Sequence, residues 1–422
     1  MKILLSCYAC RPNAGSEPGI GWHWAEEVAR LGHEVWVLTH GTQKALIEAT
    51  LADGDPFPNR HFVFYTVPPW RHDDHTSRFG SEKLEAFTYY PLWQLGALRL
   101  ARRLHREIGF DVVHSVTYSS VRLPSFLGRL GPPFVVGPIG GGERAPMRLR
   151  TGFGLRGWLT DLVRDAMNSW VRFDPLMIET YRHASLILVR TPQSQQVIPK
   201  RFHPKVRCSF GLGSDVVQTE PPPLDRRRPG EPLRILYTGL FLYWKGVHLA
   251  VKAFAAFCKA GGQGSLTLIG RGPFHDRCRR LAQELGVADR IEWIGWTSHS
   301  ELTAHYRSHH AFLFPSLHDA GGLAVLEALA NGLPVVCLDL GGPAVRVDER
   351  CGIVVPTGGR GEAEVVAGLA AALRRLHDDE PLRRTLAEEA ASRSRTFTWG
   401  AAAESLYGPD GLTNALAGDF AG

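Results

Sequence analysis

Two carboxylates set in a glycine-containing stretch are the residues whose types and spacing point most directly to chemistry. Residues 314–342 read FPSLHDAGGLAVLEALANGLPVVCLDLGG, with Asp319 and Glu327 eight positions apart and Gly321 and Gly322 between them. The pattern predicts a short strand, a loop carrying Asp319, a helix that opens at the glycines and carries Glu327, and a second strand. Glycine lets backbone N–H groups meet a ligand without side-chain obstruction. A helix N-terminus adds unpaired N–H groups and a partial positive charge, which suit a phosphate. Carboxylates would repel that phosphate, so Asp319 and Glu327 are better matched to hydroxyls, from which they accept hydrogen bonds. A ligand offering phosphates and hydroxyls together is a nucleotide sugar. The bland alternative is a buried α/β unit with two solvated acids.

Positioning such a loop takes a parallel sheet, and the chain has the grammar for two. A length of 422 residues exceeds one ordinary core. Strand candidates are Ile3–Leu5, Glu34–Leu38, Val112–Val113 and Phe134–Val136, then Arg234–Tyr237, Ser265–Ile269, Arg290–Ile294, Ala311–Phe314 and Pro334–Leu338. Short apolar runs alternating with amphipathic helices imply parallel strands. The Pro- and charge-rich run TEPPPLDRRRPGEP at 219–232 reads as a linker. The expected organisation is a Rossmann-like acceptor-side domain at 1–218, the linker at 219–232 and a nucleotide-sugar-binding domain at 233–393. A terminal helix and loose tail at 394–422 complete it. Open α/β sheets bind ligands at the carboxyl ends of their strands, so two facing domains would hold donor and acceptor across a cleft.

Composition narrows the class. Apolar residues make up 44% and charged residues 21%, as in a soluble globular protein. The opening MKILLSCYACRPNAG is too short in its apolar run for a signal peptide or a span, and reads as a first strand. Seven scattered cysteines suit a reducing cytoplasm. The lone Cys7-x-x-Cys10 lacks the second pair a zinc site needs and reads as two structural thiols. Residues 1–218 hold 26 Lys/Arg against 19 Asp/Glu (net +7), and 219–422 hold 22 against 23 (net −1). Part of the excess lies in 144–172, with six Arg, two acids and a run of Leu, Val, Met and Trp. That pattern suits a helix lying on an anionic membrane. The alternative is a helix packed on its own domain with a solvated basic face. Nothing resembling a nucleic-acid motif accompanies the arginines. Asp53-Gly54-Asp55 sits in a turn-rich run with no preceding core strand and reads as a surface turn, so no metal site is expected.

The 314–342 stretch resembles the signature of the family 4 retaining glycosyltransferases, in which an acid and a Glu stand eight apart within a phrase like PS-x-x-E-G-F-G-x-x-x-x-E-A-x-A-x-G-x-P-V. Here Pro315-Ser316, Asp319, Gly321-Gly322, Glu327-Ala328, Ala330, Gly332 and Pro334-Val335 match it, and Asp339, Gly341, Gly342 and Pro343 fit the family's donor loop. The first acid is Asp where Glu is more usual. The resemblance implies the GT-B architecture and a metal-independent hexosyl transfer from a nucleotide sugar to a glycan or lipid-linked acceptor. No cofactor is implied, and a role in cell-surface polysaccharide synthesis is the default. It further implies that Glu327 meets the ribose, while Asp319 with the N–H groups of Gly321, Gly322 and Leu323 holds sugar and phosphate.

Other fragments extend the match. Tyr237-Thr238-Gly239-Leu240 followed by Lys245-Gly246 resembles the family's second-domain opening, where Gly-Arg precedes Lys-Gly. Lys245 would neutralise the leaving diphosphate. Leu240 stands where the family has Arg, and Arg271 is a candidate replacement. Gly15, Ser16 and Gly19 follow the first strand and open a helix, where glycines allow backbone to approach an anion. In the resembled family that loop approaches the donor phosphate. His114 ends the run FDVVH, and at a strand's carboxyl end it is expected to point into the cleft, near the transferred sugar; a core or capping histidine is the alternative. Glu143 reads equally as an acceptor contact or a helix N-terminal acid. Two other classes stay open: a nucleotide-sugar-binding protein without turnover, because of Leu240, and an epimerase or phosphorylase of related architecture.

Overall fold

The computed structural model describes residues 1–68, 82–209, 213, 227–228 and 230–417; the side chains of Ser16, 82–85 and 415–417 are not described. The expected linker lies largely outside the described residues. The chain forms two compact units, one of residues 1–142, 166–213 and 399–422, the other of residues 143–165 and 214–398.

Among the described residues, the first unit is built on seven parallel strands: β1 (Lys2–Ser6), β2 (Glu34–His40), β3 (Arg60–Tyr65), β4 (Val112–Ser115), β5 (Phe134–Ile139), β6 (Leu186–Val189) and β7 (Val206–Cys208), in the order β3-β2-β1-β4-β5-β6-β7. Ile3, Leu4 and Leu5 are fully buried, because β1 is central and packed on both faces. The second unit holds six among the described residues: β8 (Leu233–Thr238), β9 (Gly264–Ile269), β10 (Ile291–Ile294), β11 (Ala311–Phe314), β12 (Val335–Leu338) and β13 (Gly352–Val355), in the order β10-β9-β8-β11-β12-β13. Every pairing in both sheets is parallel.

In each sheet the chain starts at an inner strand, adds strands to one side, then crosses to the other. The strand order therefore reverses between β1 and β4, and again between β8 and β11. At such a switch the loops leaving the two strands diverge and open a crevice at their carboxyl ends. Gly15 follows β1 and His114 is the last residue but one of β4; Lys245 follows β8 and Asp319 follows β11.

The nine expected strands all occur, several extended by one to three residues. The expectation lacked β3, β6, β7 and β13. The Trp399–Tyr407 helix packs in the first unit, with Trp399 stacked on His23 at 5.0 Å between ring centroids.

Candidate functional site

At the second unit's switch point, the loops after β8 and β11 are locked together before any side chain is considered. Gly246 has φ 72°, and a Cβ there would lie 1.9 Å from the Pro315 carbonyl oxygen, so only glycine lets the two loops touch. That contact delivers the preceding residue. Lys245 Nζ lies 2.5 Å from Asp319 Oδ2. The other carboxylate oxygen, Oδ1, accepts from the N–H of Gly321 at 2.9 Å and of Gly322 at 3.0 Å. Burial raises the Asp319 pKa, but Lys245 and the two N–H donors outweigh it and hold the carboxyl below the usual range.

This corrects the expectation for Gly321 and Gly322. Their N–H groups are already bonded to Asp319, because a carboxylate two and three residues upstream folds back onto them more readily than it reaches outward. Gly322 adopts φ 60° and precedes the Leu323–Ala330 helix. The N–H of Leu323, the first helical residue, has no acceptor among the described residues and stays available to an anion. The loop is clamped from below. The Asp319 carbonyl accepts from Gly342 N at 2.6 Å, and the buried Arg346 donates from Nε to the Gly321 carbonyl at 2.8 Å.

One turn into that helix, Glu327 Oε2 accepts from the Tyr306 hydroxyl at 2.8 Å, and Tyr306 also meets Thr238 Oγ1 at 2.7 Å. Burial raises the Glu327 pKa and the Tyr306 bond only partly offsets it. Tyr306 and Thr238 thus fix one carboxylate oxygen of Glu327. Neither was found by sequence reasoning, since Tyr306 comes from a separate helix, His299–Ser308.

Gly239 and Arg271 lie at the adjoining edge. The Gly239 N–H donates to Ile269 O at 3.0 Å, and Phe241 N to Arg271 O at 2.9 Å. Arg271 is therefore tied by its backbone to the residue after Leu240, with an exposed side chain that has no partner among the described residues. Leu240 is itself half-exposed. The backbone of Arg271 thus runs beside the stretch where the expected Arg is missing.

A second layer supports the lysine and aspartate. Trp244 stacks on His318 with ring centroids 5.3 Å apart and planes 9° from parallel. These are the residues immediately before Lys245 and Asp319. His318 Nε2 donates to the fully buried Asp161 at 3.1 Å, and Asp161 pairs with Arg150 at 3.4 Å. Burial lowers the His318 pKa, keeping the ring neutral at pH 7. No motif marked this group, because Asp161 and His318 are 157 positions apart.

The first unit's switch point is built differently. His114 does not face a crevice: it is fully buried. Its Nε2–H donates to Gly137 O at 2.9 Å, so Nδ1 accepts from the Tyr407 hydroxyl at 2.8 Å. Trp24 abuts the ring edge-on at 5.2 Å. The expectation failed because the Ser16–Arg30 and Trp399–Tyr407 helices roof this face of β4. Burial pushes the His114 pKa down to about 4. Gly19 is also spent internally, since a Cβ there would lie 1.9 Å from the Ala14 carbonyl oxygen; Gly15 faces open space. The Ser16 side chain lies outside the described part. The polar feature here is Glu17, which accepts from Tyr118 N at 2.9 Å and from Arg190 at 3.0 Å.

Asp55 ion-pairs with Arg60 at 2.7 Å within its turn. Among the described residues no group of His, Cys, Asp or Glu could hold a metal ion, and no helix is long and apolar enough to cross a membrane. All seven cysteines are free thiols, and Cys7 and Cys10 are buried.

Comparison with known proteins bears on family and fold. The family described as glycosyl transferases group 1 matches residues 224–393, and the glycosyl transferase 4-like domain matches residues 19–209. A D-inositol 3-phosphate glycosyltransferase of Corynebacterium glutamicum is 32% identical over 191 residues, 43% of this chain and 44% of that protein. The chain spans about half the length of the curated relatives it matches. Among solved structures, the apo lipopolysaccharide outer core galactosyltransferase WaaB superposes with TM-score 0.62 at 14% identity over 99% of both chains. Anabaena HepE in complex with UDP superposes with TM-score 0.57 at 16% identity, covering 96% of this chain and 98% of that one. Those two likenesses establish the fold. With two family matches that divide the chain between them and two Rossmann-like units, the protein belongs to the family 4 type of the group 1 glycosyltransferases, with GT-B architecture.

Proposed function

We propose that the protein is a retaining, metal-independent hexosyltransferase. It would move a sugar from a nucleotide diphosphate donor to a glycan or lipid-linked acceptor, in the building of a cell-surface polysaccharide. One observation carries this reading: Lys245 is held 2.5 Å from Asp319, on a loop that opens the helix bearing Glu327. A cation, a helix start and a half-bonded carboxylate at one switch point suit a diphosphate joined to a ribose.

The roles follow from which atoms are already engaged. Glu327 has Oε2 fixed by Tyr306, which leaves Oε1 to accept from the ribose hydroxyls. Lys245 and Arg271 stabilise the diphosphate as it departs. The phosphate meets the Leu323 N–H, while Asp319 keeps its loop closed and orients Lys245. In the transfer the bond from the anomeric carbon to the diphosphate oxygen breaks. A bond to the acceptor hydroxyl oxygen forms on the same face, and the acceptor proton passes to the departing diphosphate. His114, buried and doubly bonded, takes no part.

HepE binds UDP, so UDP-hexoses come first in a panel with GDP- and ADP-hexoses, measured by calorimetry and donor hydrolysis with EDTA present. Tight binding with slow hydrolysis of one donor supports the assignment. Glu327→Ala is expected to weaken donor binding about 100-fold, as loss of hydrogen bonds to a charged group predicts. Unchanged binding in that variant would sink the role given to Glu327. The exposed Leu240 favours a second reading, a binding protein without turnover, which binding without transfer to any lipid or glycan acceptor would support.

A further inference from the structure

Beside the donor loop one hydrogen-bond acceptor is still unspent. Both carboxylate oxygens of Asp319 are engaged, Oδ1 by the N–H groups of Gly321 and Gly322 and Oδ2 by Lys245. The residue before it is placed differently. His318 gives its Nε2–H to Asp161 at 3.1 Å, while Nδ1 has no partner among the described residues and is not fully enclosed. His248, by contrast, has both ring nitrogens enclosed and unpaired. The His318 side chain keeps 9% of its surface exposed and Asp161 none. Asp161 lies on the Gly154–Trp170 helix, in the part that belongs to the second unit, so the pair is internal to that unit.

The proton count fixes what Nδ1 can do. Burial alone would raise the Asp161 pKa, but the bond from His318 and the nearby Arg150 and Arg164 outweigh it, so the carboxyl is ionised at pH 7. A carboxylate only accepts, so the ring hydrogen sits on Nε2. Burial keeps the ring neutral, which leaves Nδ1 with a lone pair and no hydrogen. The parallel stack on Trp244 fixes the ring plane. Nδ1 is the ring nitrogen nearer the backbone, which sets it beside the loop that continues into Asp319. A lone pair there repels phosphate oxygens and suits a hydroxyl. We propose that His318 Nδ1 accepts a hydrogen bond from a hydroxyl of the donor's sugar, and that Asp161 is a positioning residue that holds the imidazole in the accepting tautomer. The inference rests on the donor site proposed above and adds a specificity-determining residue to it. An imidazole locked by packing and by a buried carboxylate is the preorganised support such a contact requires.

The test is calorimetry on the full chain with the donor that the panel selects, beginning with UDP-glucose, and with analogues that each lack one sugar hydroxyl. His318→Phe should bind the parent donor about tenfold more weakly, the loss of one hydrogen bond, and should lose nothing further on one of the analogues. A merely structural role would weaken the parent and every analogue alike. In Asp161→Asn, Arg150 claims the amide oxygen and turns the N–H toward His318, which moves the ring hydrogen to Nδ1. That variant should lose the same discrimination, while Arg150 stays paired with Asp165 at 2.5 Å and with the Ala145 carbonyl at 2.7 Å. His318→Gln keeps one N–H for Asp161 and one acceptor, and should restore part of the preference. Nitrogen-15 resonances of the wild-type ring give a readout that needs no variant: Nδ1 should appear unprotonated and move when donor binds. A protonated Nδ1 in the wild type, or a His318→Phe protein that discriminates among the analogues as the wild type does, overturns the inference and leaves the donor site standing. A wild type that binds no donor of the panel removes the proposed function and the inference together.

Discussion

The two switch points share a topology and differ in how they are closed. In the second unit, Gly239, Lys245, Asp319, Gly321, Gly322 and Glu327 come from two strand–loop–helix segments, and they meet because the segments leave neighbouring strands. In the first unit, His114, inside β4, is sealed by Tyr407, 293 positions away. A local phrase can be read from the chain; a roof supplied by a distant helix cannot. Two switch points of one topology thus differ in what lies over the strand ends: polar loops in the second unit, a packed helix in the first.

The comparison can be broken most severely at Lys245. Lys245→Ala is expected to lower transfer by about 100-fold or more, the usual cost of losing a charge that stabilises a leaving group. It also leaves Asp319 without its cation. The effect is read as kcat/KM on the preferred donor, and a variant within a fewfold of wild type would remove Lys245 from the reaction. Gly246→Ala comes next. A Cβ 1.9 Å from Pro315 O at φ 72° should destabilise the second unit by about 2 kcal/mol and displace Lys245, lowering both melting temperature and activity. If Gly246→Ala melts normally, the two loops are not locked by that contact.

The smallest effect should be the sharpest contrast. His114→Phe is expected to leave donor binding by the second unit unchanged, because His114 faces the first unit's core. Its pKa falls from the usual value near 6.5 to about 4 on folding. A depressed folded pKa means that its share of stability is full above about pH 6.5 and is lost as the pH falls toward about 4. Chemical denaturation of wild type and His114→Phe across that window should show the wild type losing stability more steeply. Parallel curves would mean that His114 titrates normally and is not sealed.

Much of the fold was legible because buried parallel strands leave continuous apolar runs such as Phe312-Leu313-Phe314. β3 was missed because most of its residues are only half-buried and its run opens with Arg60-His61. β7 was missed because three residues leave too little pattern, and β13 because its short run opens on Gly352 and is half-buried in the middle. At the site, the spacing of Asp319 and Glu327 was visible, but not which way their oxygens turn. That Asp319 caps Gly321 and Gly322 depends on the loop's path over Gly342. Tyr306, Asp161 and His318 were invisible for a different reason. Each becomes meaningful only through a partner on another element. The helix at 154–170 shows the limit of periodicity: the amphipathic pattern was visible, but it left open which face turns outward.

The hydrogen bond from Tyr407 to His114 also bears on the order of assembly during synthesis. The ribosome makes β1 to β7 first, yet the imidazole of β4 cannot be satisfied until residues 399–407 emerge, after the whole of the second sheet. The strands of that sheet lie within residues 233–355 and need no later strand, so their pairing can begin while the first unit still lacks its closing helix. A nascent chain should thus carry a half-roofed first sheet, with Trp24 against His114 but neither yet covered by Tyr407, through most of translation. The half of the protein that is made first is the half that finishes last.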